Sequence, residues 1–362
     1  MTTTPLELVV CEGDETGQEL LDEALRVLAP SVVGVQIEFQ RFDLSLANRR
    51  RTANAVVHEA AEAMRAAGFG LKAATITPEG ADDVGSPNRI LREDVGGSVI
   101  VRTGRRIPGV APLAPMVHPI AVVRMAVGDA YGAEEWRAGM PGGADESAGR
   151  TERITRSSCR SVAEHAFRLA ASMAGEVYGG PKWTVSARYE ALLKEEMDAA
   201  AARHPEVGYR PVLIDAAYAG LLTASADGPL VIPALNRDGD CLSDLVLALF
   251  GSLAGAESVL LAFDADLAAT VAMAEAPHGT APSLAGKNLA NPMAMLLACA
   301  AVLDHVATRR DPRFADAGRA VRDATLSVAA AGIRTFDVGG DASTSEVVDA
   351  VVAHVQAARS AC

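Results

Sequence analysis

Three observations predict an α/β fold with much parallel sheet. Between Leu6 and Ile76, short apolar runs alternate with stretches of helical period, a β-α-β-α-β rhythm. The 362 residues are enough for a large core shared between two lobes or domains. Apolar residues make up 49% of the chain, as in a globular protein, and no stretch reaches the about 18 apolar residues of a membrane span. No Gly-x-Gly-x-x-Gly step is present, so the dinucleotide-binding form that uses it is not expected.

The elements follow in order. Leu6 to Val10 is apolar and ends at Gly13, which reads as a buried strand. Leu20, Leu21, Ala24, Leu25 and Leu28 keep the helical period over 19–28. A strand is expected at 36–42, a helix at 53–67 stopped by Gly68, and a strand at 70–76. Val99 to Val101 begins another strand, and Pro108, Pro112, Pro115 and Pro119 impose an extended connection before a strand at 120–127. The Gly-, Ala- and charge-rich stretch 137–153 reads as a projecting, mobile segment. A long amphipathic helix is expected over 155–178, with Ser158 or Ser161 near its start and Gly179-Gly180 as its stop. Further helices are expected at 191–203, 243–253, 289–306 and 345–358, with a strand at 230–232. No internal repeat is evident.

The formal charge of −13 argues against nucleic acid or an anionic membrane as partner. An anionic substrate would need a local arginine cluster or a divalent cation. Cys11, Cys159, Cys241, Cys299 and Cys362 are scattered and odd in number, which favours reduced thiols over a disulfide framework. The opening MTTTPLELVVCEGDETG has no basic region followed by an apolar run, so no secretory signal and a cytoplasmic location are expected.

The stretch MAEAPHGTAPSLAGKNLANP, 273–292, is too punctuated for a helix or strand. Gly279 and Gly286 allow tight turns, and Pro277, Pro282 and Pro292 stiffen what lies between. A loop held in one shape and bearing an imidazole and amides suits an adenine nucleotide. Its order resembles the adenine-side cofactor loop of the β-decarboxylating dehydrogenases, which are the isocitrate, homoisocitrate and isopropylmalate dehydrogenases. Four further segments resemble the same family in the same order. CEGDETGQE keeps Gly13, Asp14, Gly17 and Glu19 of its opening turn.

In TITPEGADDVGSPNRILREDVGGSVIVR and VVRM, Arg92, Arg102 and Arg124 stand where the family places its substrate arginines. Guanidinium forks bind carboxylates bidentately, although any one of these arginines alone would as readily be solvated or paired on the surface. Ser86 and Asn88 are similar to the Ser-x-Asn step of the isocitrate branch, and Thr77 matches a threonine near the nicotinamide. In VVRMAVGDAYGAEEW, Tyr131 falls on the catalytic tyrosine, while Met125, Ala126, Val127 and Gly128 replace polar Glu-Asn-Thr-Glu. Asp240 and Asp244 are one helical turn apart, and Asp215 follows a strand. Three carboxylates with substrate oxygens and water suit Mg²⁺ or Mn²⁺, though Asp244 alone could simply favour the first turn of its helix.

The resemblance implies a two-lobed fold with a mixed parallel and antiparallel sheet. Residues 1–98 and 258–362 would form a large cofactor-side lobe, and 99–257 a small lobe with the dimer interface and metal aspartates. It implies NAD or NADP held by Thr77, His278, Gly279, Thr280, Ala281, Ser283 and Asn291, and a polycarboxylate substrate held by Ser86, Asn88 and the three arginines. It also implies a homodimer with shared active sites, one aspartate reaching across from the second copy.

The chain departs from the family where it matters. Arg188 aligns with the proton-transferring lysine and Glu190 with the asparagine two residues on. An arginine holds its proton above about pH 12 and is a poor acid-base group. Ser283 replaces the Asp usual in NAD-linked members and so selects neither cofactor. Three functions remain open: a dehydrogenase with altered proton transfer, a non-catalytic subunit supporting an active paralogue, and a same-fold enzyme that uncouples oxidation from decarboxylation.

Overall fold

The computed structural model describes residues 5–79, 83–223 and 226–360. Cys362 lies outside them; Cys11, Cys159, Cys241 and Cys299 are free thiols. In chain order the elements are β1 (Leu6–Glu12), α1 (Glu15–Val27), α2 (Pro30–Val33), β2 (Ile37–Asp43), α3 (Leu46–Thr52), α4 (Ala55–Ala67), β3 (Phe69–Lys72), α5 (Pro87–Asp94), β4 (Gly97–Gly104) and β5 (Ile120–Met125). There follow β6 (Glu134–Ala138), β7 (Ser147–Thr151), α6 (Arg156–Met173), β8 (Glu176–Tyr178), α7 (Ala191–Arg203), β9 (Gly208–Arg210), α8 (Ile214–Thr223), β10 (Leu230–Ala234) and α9 (Asn236–Leu249). The chain ends with β11 (Glu257–Phe263), β12 (Ala269–Glu275), α10 (Met293–Arg309), α11 (Phe314–Ala330) and α12 (Thr344–Ser360).

Ten strands form one sheet in the order β2-β1-β3-β12-β11-β4-β5-β10-β8-β9. The outer pairings are parallel, and the three central ones, β12 to β11, β11 to β4 and β4 to β5, are antiparallel. The expected lobe junctions therefore fall at the starts of β4 and β11, which are neighbours in this antiparallel centre. Helices cover both faces, so strands are apolar on both sides. In β1, Leu8 and Val10 enter one core cluster while Val9 and Cys11 enter the cluster on the other face. No described helix is long and apolar enough to cross a membrane.

Several expectations are corrected. The helix expected over 155–178 stops at Met173, with Ala174 left-handed at φ 50°, and Glu176–Tyr178 is a strand. A side chain at Gly175 would sit 2.4 Å from the Pro229 carbonyl oxygen, so the glycine lets β8 dock beside β10. Thr155, not Ser158 or Ser161, caps α6, its Oγ1 accepting from the Ser158 amide at 3.1 Å. The 137–153 segment is ordered as the exposed β6–β7 hairpin, a separate two-stranded sheet. Helix α9 begins at Asn236 rather than Ser243, which places Asp240 and Asp244 inside it. At the C-terminus, Ser343 and Glu346 form a reciprocal capping box: the Ser343 amide donates to the Glu346 carboxylate at 2.8 Å and the Glu346 amide to Ser343 Oγ at 3.4 Å.

His165 on α6 and His305 on α10 are half-buried near one another, with Arg168 and Arg309 close by. Burial is the main cause that pulls His165 down to about 3 and His305 to about 4. Both imidazoles are thus neutral when folded and protonate near 6.5 when unfolded, so the unfolded chain binds more protons as pH falls. Their stabilisation is complete above about 6.5 and is lost below it, by about 2 kcal/mol per imidazole at pH 5. Urea denaturation at pH 7.5 and pH 5 should show a smaller loss in a His165→Gln, His305→Gln double variant than in the parent chain.

Candidate active site

The carboxyl-terminal ends of β3 and β12 lie side by side, with Lys72 in register with Glu275. Lys72 is buried, and its Nζ is 3.3 Å from the Glu275 carboxylate. Burial pushes Glu275 up, but Lys72, Arg92 and Arg102 outweigh it and hold the carboxyl below its ordinary value. Arg102 on β4 and Arg124 on β5 are diagonal neighbours on one face of the sheet, because Ile100 is paired with Arg124. That face looks onto α9. Gly239 lets the helix approach closely, since a Cβ there would lie 2.8 Å from Arg124 Cβ.

Arg124 is fully enclosed and donates through Nε and Nη2 to Asn236 Oδ1, at 3.0 and 2.8 Å, and through Nη1 to Asp240. Arg102 donates to Ser243 Oγ and Asp244 Oδ1, both at 3.0 Å, and lies 3.4 Å from Asp240. Tyr131, half exposed on the turn after β5, donates to Asp240 Oδ2 at 3.1 Å, and the Arg124 guanidinium lies 5.6 Å from its ring centre. Burial lowers Arg124 to about 10; Asp240 opposes this, while Arg92 and Arg102 add to it. Burial also lowers Arg92. Burial first, then Asp240, raise the Tyr131 hydroxyl, so it carries its proton at neutral pH.

Lys72, Arg92, Arg102, Asp240, Asp244 and Glu275 line a polar cavity of about 310 Å³, and Tyr131 and Asn236 line a neighbouring one. Buried polar atoms are normally hydrogen-bonded. Here Thr75 Oγ1, Asn88 Oδ1, Arg102 Nε and His278 Nε2 are buried without a partner, and all four residues line this one cavity. Arg102 Nε is a free donor and Asn88 Oδ1 a free acceptor, so the cavity offers both kinds of hydrogen-bonding group to a polar ligand. A mostly apolar cavity of about 260 Å³ adjoins it, lined by Leu20, Leu253, Ala281, Asn291 and Asp337, and His278 and Gly279 line both.

The loop after β12 is held from outside by α1. Thr16 donates from its amide to the Thr280 carbonyl at 3.1 Å and from Oγ1 to Ala281 at 2.9 Å. Glu19 accepts from the Gly286 and Asn288 amides at 2.8 and 3.0 Å. Gly17 is required because a Cβ would meet Ala74 at 2.8 Å.

The sequence model of the isocitrate/isopropylmalate dehydrogenase family matches residues 7–351. The chain belongs to the isocitrate/isopropylmalate dehydrogenase family. It is 31% identical to the NAD-type mitochondrial isocitrate dehydrogenase catalytic subunit 5 of Arabidopsis thaliana, over 98% of this chain and 90% of that protein. It is 27% identical to a 3-isopropylmalate dehydrogenase of Methanothermobacter thermautotrophicus, over 97% and 99% of the two chains. The isocitrate dehydrogenase structure from Methylococcus capsulatus shares the fold, with a TM-score of 0.82 at 24% identity over 97% of this chain and 99% of that one.

Within this isocitrate/isopropylmalate dehydrogenase fold, the structure brings together Asn88, Arg92, Arg102, Asp240, Asp244, His278 and Gly279 around the polar cavity. Arg124 and Tyr131 join them through Asp240. Ala281 and Asn291 line the apolar cavity, whereas Ser283 is exposed on the loop and Thr280 contributes its carbonyl to the α1 contact. Ser86 lines a neighbouring cavity that also contains Arg92.

Thr77 is exposed, and Thr75 takes the position at the cavity wall. Asp215, in the first turn of α8, is exposed and ion-paired with Lys182 rather than grouped with Asp240 and Asp244. Among the described residues, no three His, Cys, Asp or Glu side chains form a metal-holding cluster. The pair on α9 still offers two hard oxygen donors beside the cavity, which fits Mg²⁺, an ion that takes one or two carboxylates and fills its shell with water and substrate oxygens. Arg188 is exposed in the turn before α7. Lys72, Thr75, Asn236, Ser243 and Glu275 were missed from sequence. Lys72 alone carries a usable signal, a charge closing an apolar strand.

One buried cation orders the segment that bears Thr75, Thr77 and Ser86. Arg49, on α3, has no exposed surface and donates to the carbonyls of Leu44 (3.0 Å), Gly85 (3.1 Å) and Ile76. Asp14 accepts from the Leu46 and Ile76 amides at 2.9 and 2.8 Å. Arg49→Met leaves three carbonyls without donors, and is expected to cost about 3 kcal/mol. Amide exchange at Ile76 and Val84 should rise more than in β1, as hydrogen-exchange mass spectrometry would report.

Proposed function

We propose that this chain oxidises a 2-hydroxy di- or tricarboxylate resembling isocitrate, with NAD or NADP as acceptor and Mg²⁺ or Mn²⁺ as cofactor, and with loss of carbon dioxide. The observation that carries this reading is the convergence of Arg92, Arg102, Asp240, Asp244 and four unpartnered buried polar atoms on one cavity. Guanidiniums held out of water favour an anion strongly. Arg92 and Arg102 would bind the substrate carboxylates, and Arg124 would keep Asp240 oriented. Asp240 and Asp244 would hold the divalent ion, which when bound polarises the carbinol and then the ketone oxygen. A bound nicotinamide cofactor would supply the hydride acceptor, and the apolar cavity beside His278 would seat its adenine end.

Proton transfer is where this member departs. Tyr131 retains its proton and lies next to Asp240, so it is placed to protonate the carbon left after decarboxylation. Arg188 has no such competence and would act only as a fixed charge. Lys182, Asp215 and Arg188 are away from this cavity and are available to the site of a second copy, which favours a homodimer with shared sites.

The exposed Arg188 and the loss of polar residues at 125–128 favour, as a second reading, a non-catalytic subunit that binds the same ligands. Purified chain with Mg²⁺ and 2-hydroxy acids bearing a neighbouring carboxylate should reduce NAD⁺ or NADP⁺ and release carbon dioxide in equal amounts. Ligand-induced stabilisation without turnover would favour the second reading, and reduced cofactor without carbon dioxide would show uncoupling. Arg92→Met should lower kcat/KM at least about a hundredfold. Tyr131→Phe should lower kcat about a hundredfold with little change in KM, measured by steady-state absorbance of the reduced nicotinamide.

A further inference from the structure

Asn236, in the first turn of α9, is buried and joins two parts of the site. Its Oδ1 accepts from Arg124 Nε and Nη2 at 3.0 and 2.8 Å, which uses both lone pairs of that oxygen. Its Nδ2 donates to the Gly128 carbonyl at 3.0 Å. The amide therefore has one orientation. Turned over, it would set its NH₂ group against a guanidinium, which accepts no hydrogen bond.

The turn held in this way does not hold itself. Gly128 and Asp129 both have positive φ, 71° and 57°. Asp129 is not a glycine, so its conformation is unfavourable and persists only where the surroundings fix it. Its buried carboxylate accepts from the Arg237 amide and from Tyr189 Oη, both at 3.0 Å. The same turn carries Tyr131, whose hydroxyl donates to Asp240 Oδ2 at 3.1 Å. Asp240 lies one helical turn beyond Asn236 on α9, and Arg124 donates to it as well. The result is a closed ring. Asn236 and Asp240 hold the two ends of the turn, and Arg124 bridges the two holding groups.

A tyrosine that gives its proton to a substrate has to leave Asp240. The ring then opens at that end, and the start of the turn stays attached to α9 through Asn236 and the Arg237 amide. Only a turn still fixed at its start keeps the freed hydroxyl within reach of one point.

We propose that Asn236 is a positioning residue for Tyr131: its amide fixes the turn from which the hydroxyl reaches the substrate, and orients Arg124 with the same side chain. The inference rests on the proposed role of Tyr131 as proton donor. Asn236 acts through the turn and the guanidinium and not on the reacting atoms.

Asn236→Asp separates the two functions of the amide. The carboxylate keeps an oxygen for Arg124 but turns its other oxygen toward the Gly128 carbonyl, two acceptors with no hydrogen between them. Arg92 and Arg102, in the cavity wall, are left in place. In steady-state assays kcat should fall at least about tenfold while KM changes less than about threefold. In a Tyr131→Phe background the same substitution should cost less than about twofold in kcat, because a residue that places a hydroxyl has nothing left to place. Equal losses in the two backgrounds overturn the proposal. Asn236→Ser, too short to reach both partners, carries the same expectations should the first variant fail to fold.

Fluorine NMR of the full chain labelled with fluorinated tyrosine gives a readout that needs no turnover. The chain has five tyrosines, and Tyr131→Phe identifies the Tyr131 resonance. In Asn236→Asp this resonance should shift or broaden while those of Tyr178 in β8 and Tyr209 in β9 stay where they are. A Tyr131 resonance that does not move overturns the proposal, even where thermal stability falls. A displaced resonance in a chain that reduces no cofactor supports the positioning role and counts against the dehydrogenase reading. Cofactor reduction in the parent chain with an unmoved Tyr131 resonance in the variant does the reverse.

Discussion

The site depends on keeping guanidinium groups out of water beside carboxylates and amides that meet their donors only in part. Taking a cation from water is costly unless its donors are met and its charge is answered. Arg124 meets this condition through Asn236 and Asp240. Arg102 meets it only in part, with Nε left unpartnered, and Arg92 feels Arg102 as a like charge. A ligand carrying carboxylates would complete what the protein leaves open, so binding energy is available where a guanidinium donor stays unpartnered. This also reconciles an acidic chain of charge −13 with an anionic ligand: the relevant field is local, and low-dielectric walls focus it.

That cluster exists because of the sheet's antiparallel centre. Were β4 and β5 parallel, a crossover would separate them in sequence and Arg102 and Arg124 would lose their diagonal relation. Instead a proline-rich connection joins the two strands, and α9 closes over them at Gly239. The opening motif then serves as scaffold. Asp14 ties Leu46 and Ile76 together, Gly17 admits Ala74, and Glu19 holds the far loop. None of these three residues lines the polar cavity, yet each fixes a segment that does or that adjoins it.

What the sequence made legible follows from which signals are local. The first strands and helices were readable because their periodicity is strong and glycines end them. The α6 boundary was misread because helical period and amphipathic character run on through Glu176–Tyr178, and only the approach of Pro229 in space decides for a strand. The strands β11 and β12 and the helix α11 were not resolved, because alanine-rich apolar runs carry no contrast between periods. The three arginines and the α9 aspartates were found through family spacing. Thr75, Lys72, Asn236 and Ser243 were not, since their importance lies in unpartnered atoms and cross-strand contacts that no spacing encodes. Asp215 and Arg188 show the limit from the other side: their alignment is legible, but one folded chain does not bring them to the cavity.

The departures at 125–128 and at Arg188 need not describe a failing enzyme. Losing polar side chains beside a charged pocket would normally loosen that pocket, because water would enter and screen it. Here the segment is instead tied down, with Asn236 serving both Arg124 and the Gly128 carbonyl. The same side chain thus sets the guanidinium and the turn after β5. A site drifting without function would have no reason to couple these two features through one buried amide. The coupling is more simply understood as one site whose guanidinium and adjoining turn are positioned together.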